Sequence, residues 1–215
     1  MKRIGVVICG DAFSDKNEIN ETELVINTLK NHGATATFFT FLSDQAIDNK
    51  ANNQTAEKEG SKVADLFTGL TSYPLSDLSE REKFMPEALL ILSANGVPVY
   101  FKTKENSIEQ TPSSQAYMDF FTEIYKQELT IGLVGKCAAL APLLAQAPVR
   151  VTLGNDPDCA ELIEELGGEA VICPADDIVI DDDHRIMTTP GFLAGGSVAD
   201  ISQGIDKLIT RILGA

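Results

Sequence analysis

The sequence predicts an α/β protein built on a doubly wound, mostly parallel sheet with helices on both faces. Apolar runs of five to eight residues alternate with stretches in which apolar residues recur at helical spacing. Several runs are apolar throughout, which is typical of parallel strands buried on both sides. Near the carboxyl end, an acidic turn between two short apolar runs predicts a small C-terminal β-hairpin. This architecture is flavodoxin-like, and any site is expected at the carboxyl ends of the strands.

The first half of the chain opens with a βαβ unit, whose helix ends at Gly33. A polar stretch rich in Asn, Lys and Gln follows and is expected on the surface. The predicted elements are a strand at 4–9, an amphipathic helix at 19–32, a strand at 34–41, surface residues at 46–59, a short helix at 61–67 and a buried strand at 88–92.

The second half continues the alternation and closes with an apolar helix. One helix begins at a proline and is closed by two glycines, which are common start and stop signals. The predicted elements are a helix at 113–127, a strand at 130–135, an Ala-rich helical segment at 138–141, a strand at 149–153, a helix at 157–166, hairpin strands at 178–180 and 185–187, and a helix at 198–213.

Length and charge favour a single domain, residues 1–215, that acts on small molecules. The formal net charge of -15, from 32 acidic and 17 basic residues, disfavours nucleic acid and anionic membranes as partners. The first apolar run is too short for a signal peptide, and no run approaches the roughly twenty apolar residues that cross a bilayer. We therefore expect a cytoplasmic protein.

The four cysteines Cys9, Cys137, Cys159 and Cys173 are scattered and show no CxxC spacing. They are interpreted as reduced thiols, which agrees with a cytoplasmic location. The sequence contains no GxxxxGK[ST] loop, no GxGxxG after the first strand and no cluster with metal-ligand spacing. No cofactor and no metal are expected.

Cys137 is the candidate nucleophile, because it lies between the apolar run 130–135 and the Ala-rich segment. A strand that turns at once into a helix would expose this side chain at the carboxyl edge of the sheet. The amino terminus of the helix and the neighbouring Lys136 would both favour the thiolate. The alternative is a buried cysteine that fills the junction.

A carboxylate or the backbone would have to assist this thiol, since neither His32 nor His184 has the position of a catalytic base. Glu18 and Glu21, near the start of the first helix, lie at the same edge and could donate a hydrogen bond or take a proton. The residues alone do not choose between them, and both could simply complement the helix dipole. The turn at 93–96 could stabilise an oxyanion or be a plain loop.

Nearly the whole chain resembles the ThiJ/PfpI superfamily, which has the class I glutamine amidotransferase-like fold, and within it the ElbB-like branch. The similarity is strongest in the segments 150–156, 160–167, 173–181, 188–190 and 204–208. The acidic segment 17–21 also resembles the branch. The resemblance implies that Cys137 is the exposed elbow cysteine and that Glu21, with Glu18 second, contacts its thiol. It implies a substrate-binding role for Ala94, Asn95, Gly96, Ala138, Thr188 and Thr189.

The resemblance further implies a weak glutathione-independent glyoxalase. In that reaction the thiolate adds to the aldehyde of glyoxal or methylglyoxal, a hydrogen moves through an enediol, and hydrolysis releases a hydroxy acid. Ala94 and Asn95 replace two glycines of the related Pro-Gly-Gly-Phe-Gly turn, which weakens oxyanion binding. The alternative is therefore a catalytically degenerate member that binds a metabolite or senses oxidants through the cysteine. By analogy we expect a homodimer.

Overall fold

The computed structural model describes residues 2–9, 16–40, 67–69, 71–78, 84, 86–92 and 112–214, with residues 16–19 and 112–116 described by their backbone alone. The surface stretch predicted at 46–59, nearly all of the short helix at 61–67 and the turn at 93–96 lie outside these residues. The described strands are β1 Arg3–Ile8, β2 Thr35–Thr40, β3 Leu75–Asp77, β4 Ala88–Leu92, β5 Thr130–Val134, β6 Arg150–Val151, β7 Glu169–Ala170, β8 Val179–Asp181 and β9 Ile186–Thr189.

α-Helices and two short 3-10 helices connect the described strands, and residues 67–69 are helical as well. The α-helices are α1 Lys16–Asn31, α2 Pro112–Lys126, α3 Ala141–Ala145, α4 Pro157–Glu165 and α5 Val198–Gly214. The 3-10 helices are Gly135–Leu140, which follows β5 directly, and Gly191–Ala194, which is separated from β9 by Pro190. None of the described helices has the length and apolar character needed to cross a membrane.

The main sheet has seven described strands in the order β3-β2-β1-β4-β5-β9-β8. Neighbouring strands are parallel except β8 and β9, which form the antiparallel hairpin. β6 and β7 form a separate parallel pair. The predicted fold class is confirmed: this is a doubly wound, flavodoxin-like α/β sheet.

Two apolar clusters cover the two faces of the sheet, because successive residues of a buried strand point to opposite sides. Ala88, Leu90 and Leu92 of β4 belong to the cluster that contains the apolar residues of α1 and α5. Leu89 and Ile91 belong to the other cluster, with the aromatic residues of α2 and the apolar residues of α3. The sheet is therefore buried on both faces, as its continuous apolar strands predict.

The predicted elements within the described residues are present, and most of their ends differ by one to three residues. The sequence analysis missed β3, since its Leu-Ser-Asp segment is short and only half-buried. The helical segment after β5, predicted at 138–141, begins three residues earlier in the structure. The chain turns into a 3-10 helix at Gly135, directly after the strand.

Candidate functional site

The elbow after β5 is formed by Gly135. This residue follows Val134, the last residue of the strand, and begins the 3-10 helix with a φ of +59°. A sharp turn from a parallel strand into a helix, with a left-handed residue at the corner, is the geometry of a nucleophile elbow. Glycine adopts that conformation without steric strain. The corner of this elbow therefore carries no side chain.

The carboxyl group of Glu21 lies directly against this glycine. A Cβ atom built on Gly135 would be 3.2 Å from both carboxyl oxygens of Glu21. The backbone N–H of Phe192 donates a hydrogen bond to Oε1 of Glu21 at 2.9 Å. Only 8% of the glutamate is exposed. Glu21 thus lies against the elbow at the carboxyl edge of the sheet, and its contact with the Cys137 thiol stays a prediction.

Gly191 closes the other side of the same carboxyl group. Its φ is +55°, and a Cβ atom at this position would overlap Oε1 of Glu21. Gly191 reaches this place because β9 pairs in parallel with β5, with Val134 opposite Thr189. The chain after both strands therefore leaves the sheet at the same edge, and two left-handed glycines enclose one carboxyl group from α1.

Cys137 does not have the position that the sequence predicted. Its side chain is 0% exposed and belongs to the apolar cluster on the α2 face of the sheet. The physical reason is that the elbow occurs at Gly135, so that Cys137 already lies within the 3-10 helix. The expectation of an exposed elbow cysteine is therefore wrong. Lys136, beside it, is half-buried.

The remaining predicted site residues are buried, or their side chains lie outside the described part. Ala138 is fully buried. Thr188 and Thr189 are fully buried as well. The hydroxyl of Thr188 accepts from the Thr152 N–H at 3.1 Å, and that of Thr189 donates to the Asp177 carbonyl at 3.1 Å. The side chain of Glu18 and the residues Ala94, Asn95 and Gly96 are outside the described residues.

The other three cysteines are not activated thiols. Burial raises the pKa of Cys9 well above its ordinary value. Burial, followed by the charges of Asp156 and Asp158, raises the pKa of Cys159. Burial and two neighbouring aspartates raise the pKa of Cys173 to about 11. Since the thiolate is the nucleophilic form, none of the three is prepared for attack at neutral pH.

Both histidines contact aspartates on other parts of the molecule. His32 Nε2 lies 2.8 Å from Asp206 Oδ1, at the carboxyl end of α1, which is the opposite end of that helix from Glu21. His184 Nδ1 lies 2.8 Å from Asp181 Oδ1 in the hairpin turn. In the described ranges, no three His, Cys, Asp or Glu side chains are grouped to hold a metal ion.

Sequence reasoning missed Gly135, Gly191 and Phe192. A usable signal was present for Gly135, because it is the first residue after an apolar strand and the smallest residue of the junction. Gly191 and Phe192 follow Pro190, and the predicted site residues of this stretch are only Thr188 and Thr189. Their role depends on the pairing of β9 with β5, which no local pattern reveals.

Comparisons with known proteins support the fold. No family model matches the chain. The human protein "Glutamine amidotransferase-like class 1 domain-containing protein 3, mitochondrial" is 20% identical over 98% of this chain and 82% of its own length. The structure of an isoprenoid biosynthesis protein with an amidotransferase-like domain from Ehrlichia chaffeensis superposes with a TM-score of 0.72 at 24% identity, covering 100% of this chain and 99% of that one.

A more distant solved structure has the same architecture. DJ-1beta of Drosophila melanogaster superposes with a TM-score of 0.52 at 10% identity, covering 99% of this chain and 98% of its own. Together these similarities confirm the predicted resemblance to the ThiJ/PfpI superfamily at the level of the fold. The ElbB-like branch stays a prediction.

Proposed function

We propose that this chain, which has the fold of the ThiJ/PfpI and class I glutamine amidotransferase-like proteins, is a catalytically degenerate member that binds a small metabolite without covalent turnover. The observation that carries the proposal is the glycine at the elbow. Gly135 stands at the corner where a nucleophile would have to lie, and it faces the carboxyl group of Glu21. The site keeps its acid and has no nucleophile at its corner.

The burial of Cys137 argues against the glyoxalase hypothesis. A thiolate must approach the aldehyde carbon to within about 3–3.5 Å before it can attack. The side chain of Cys137 has no exposed surface and is part of an apolar cluster. A soluble dialdehyde reaches such a sulfur only if the core opens. The same burial disfavours oxidant sensing at this cysteine, because susceptibility to oxidation follows exposure.

The chemistry of Glu21 suggests the class of ligand. A carboxylate accepts hydrogen bonds and donates none, and that of Glu21 is held by the Phe192 N–H between two glycines. The chain carries a net charge of -15, which repels anions. A small, neutral molecule with hydroxyl or amide donors is therefore the ligand that fits best.

Product analysis with methylglyoxal and glyoxal tests the absence of turnover. Wild-type protein and Cys137→Ala should form lactate and glycolate at the same rate as buffer. If the wild type forms lactate or glycolate faster than buffer and Cys137→Ala does not, the proposal is contradicted and the glyoxalase hypothesis is supported. Gly135→Cys is the informative gain-of-function variant, since it places a thiol beside Glu21, and Gly135→Ala is its matched control for backbone strain.

Ligand binding is tested by thermal unfolding with lactamide and glycolamide, which are neutral, and with the anions lactate and glycolate. We expect saturable stabilisation by at least one of the amides and none by the anions. Glu21→Ala should abolish the stabilisation. Stabilisation by the anions alone, or by no compound of the set, would contradict the proposed ligand class.

A further inference from the structure

A second candidate site lies at the carboxyl ends of β6 and β7, and none of its lining residues belongs to the Glu21 elbow. The loop 153–156, the first two turns of α4 and the residues 170–172 enclose an open groove with a volume of about 520 Å³. This volume is within the range of about 300–1,000 Å³ that is usual for ligand sites. Apolar side chains of Leu153, Ile163 and Val171 contribute to its lining.

The charge around this groove is strongly one-sided. The segment 151–183 contains eleven of the 32 acidic residues of the chain and no Lys, Arg or His. Asp156, Glu161 and Glu164 line the groove, and all three are exposed. Asp156 already accepts from the N–H groups of Asp158 and Cys159, so the amino terminus of α4 does not offer these donors to an anion. The groove therefore suits a cationic group.

β7 also has an open edge beside the groove. The N–H groups of Glu169, Val171 and Cys173 donate to Val149, Val151 and Gly154, respectively, on the β6 side. Because backbone groups alternate along a strand, the N–H and carbonyl groups of Ala170 and Ile172 point away from β6. Within the described residues the sheet has only these two strands, so no further strand pairs with this edge.

Ile172 marks this edge as an unusual surface. Its side chain is 78% exposed, although isoleucine is among the residue types most often buried. An exposed strand edge with an aliphatic side chain is a template for the addition of another strand. A second copy of this chain is a poor partner, since pairing two such edges would bring two sets of carboxylates together.

We propose that the β7 edge and the acidic groove bind an extended segment of a partner protein in which Lys or Arg alternates with aliphatic residues. The segment adds a strand through the backbone of Ala170 and Ile172. Alternate side chains of an added strand point to opposite faces, so the basic set lies against Glu161 and Glu164 on the α4 face while the aliphatic set lies on the other face. This inference is independent of the proposed function at Glu21.

The test is the binding of a fluorescein-labelled peptide, Lys-Val-Lys-Val-Lys-Val-Lys, measured by fluorescence anisotropy. The charge-inverted Glu-Val peptide should not bind. The double variant Glu161→Lys and Glu164→Lys should weaken the affinity at least tenfold. The matched control is Asp119→Lys with Glu123→Lys on α2, two exposed positions with the same change in charge, and it should change the affinity less than threefold.

Strand addition has its own variant and readout. Ile172→Pro removes an N–H that points away from β6, so the fold should persist while the affinity falls at least tenfold. Hydrogen exchange should show new protection of the Ala170 and Ile172 amides when the peptide binds. If thermal unfolding shows that Ile172→Pro does not fold, the protection of the Ala170 and Ile172 amides in the wild type decides whether the peptide adds a strand.

Three results would overturn the proposal. The first is no binding of the Lys-Val peptide at millimolar concentration. The second is an equal loss in the α4 and α2 double variants, which would mean nonspecific charge attraction. The third is binding of spermine as tight as that of the peptide, without protection of the Ala170 and Ile172 amides, which would identify a site for small cations.

Discussion

The carboxyl ends of β5 and β6 hold acidic side chains in opposite ways. At the end of β5, the single carboxyl group of Glu21 is enclosed by two left-handed glycines and a backbone N–H. At the end of β6, Glu161 and Glu164 project from α4 beside an open groove. The Glu21 carboxyl group is enclosed by backbone atoms. The Glu161 and Glu164 carboxyl groups are exposed to solvent.

The difference predicts two kinds of recognition, one at the carboxyl end of β5 in the main sheet and one at the separate β6–β7 pair. A carboxyl group enclosed by backbone has a fixed direction and can accept hydrogen bonds only from a small molecule that fits it. Exposed carboxylates attract cationic groups over a distance and tolerate many geometries. Four predictions test this contrast, in order of decreasing expected effect.

Gly191→Ala should have the largest effect, since the new methyl group must displace the Glu21 carboxyl. Backbone strain at positive φ and overpacking together should lower the free energy of unfolding by about 3 kcal/mol. Gly167→Ala is the matched control: its φ is +86°, but a Cβ atom there meets nothing within 4 Å. Gly167→Ala should lower the free energy of unfolding by about 1 kcal/mol, because only the backbone strain applies there. Urea unfolding measures both, and equal losses would mean that the Glu21 pocket is not tightly packed.

Glu21→Ala comes next, because it leaves the Phe192 N–H without this acceptor inside a buried site. We expect a loss of about 2 kcal/mol in the free energy of unfolding. Glu21→Gln keeps the size of the side chain and one oxygen acceptor, so it should lose less than half as much. Denaturation in urea at pH 7 gives both values. A Glu21→Ala protein as stable as the wild type would show that the enclosure is loose.

Asp181 joins the groove region to the main sheet and gives a pH-dependent prediction. Its carboxylate accepts from the Arg150 N–H at 2.9 Å and from the His184 N–H at 3.0 Å. Burial raises the pKa of Asp181, but the hydrogen bonds from Arg150 and His184 outweigh it and lower the pKa overall. A lowered pKa stabilises the folded protein above the ordinary value of about 3.9, and this contribution is lost as the pH falls through the folded pKa.

Asp181→Asn should therefore reduce the free energy of unfolding by about 1 kcal/mol at pH 7, and the difference should shrink below about pH 4. Unfolding curves at pH 7, 5, 4 and 3 follow it. Asp183→Asn, at an exposed position of the same turn, is the control and should show little change at any pH. A difference that grows on acidification would contradict the role assigned to Asp181.

Glu161→Gln with Glu164→Gln should have the smallest effect on stability. The two exposed side chains are like charges at i and i+3, so removing both charges should change the free energy of unfolding by less than about 0.5 kcal/mol. Thermal unfolding at low salt measures it. A large decrease in the free energy of unfolding would show that the Glu161 and Glu164 carboxylates stabilise the fold. The contrast with Glu21 would then be wrong.

Much of the fold could be predicted from sequence because buried parallel strands are continuous apolar runs, as β4 is. The position of Glu21 followed from topology, since the helix after β1 starts at the carboxyl edge. β3 escaped prediction because a three-residue, half-buried strand is defined by its pairing with β2 and not by its own pattern.

The error at Cys137 has a local cause. The chemical identity of cysteine drew attention to a residue that the backbone places two positions after the corner. The corner itself is decided by where β5 stops pairing and by which residue adopts a positive φ, and only glycine does so easily. The enclosure of Glu21 by Gly191 depends on the β5–β9 register, which single-sequence reasoning could not supply.

The most direct test of the account is alkylation of the native protein by iodoacetamide at pH 8.5, with each cysteine followed by mass spectrometry. We expect Cys159, which is partly exposed, to be modified first and Cys137 to stay unmodified until the protein is denatured. Modification of native Cys137 as fast as or faster than Cys159 would contradict the central claim that the elbow of this protein is Gly135 and that its cysteine is part of the core.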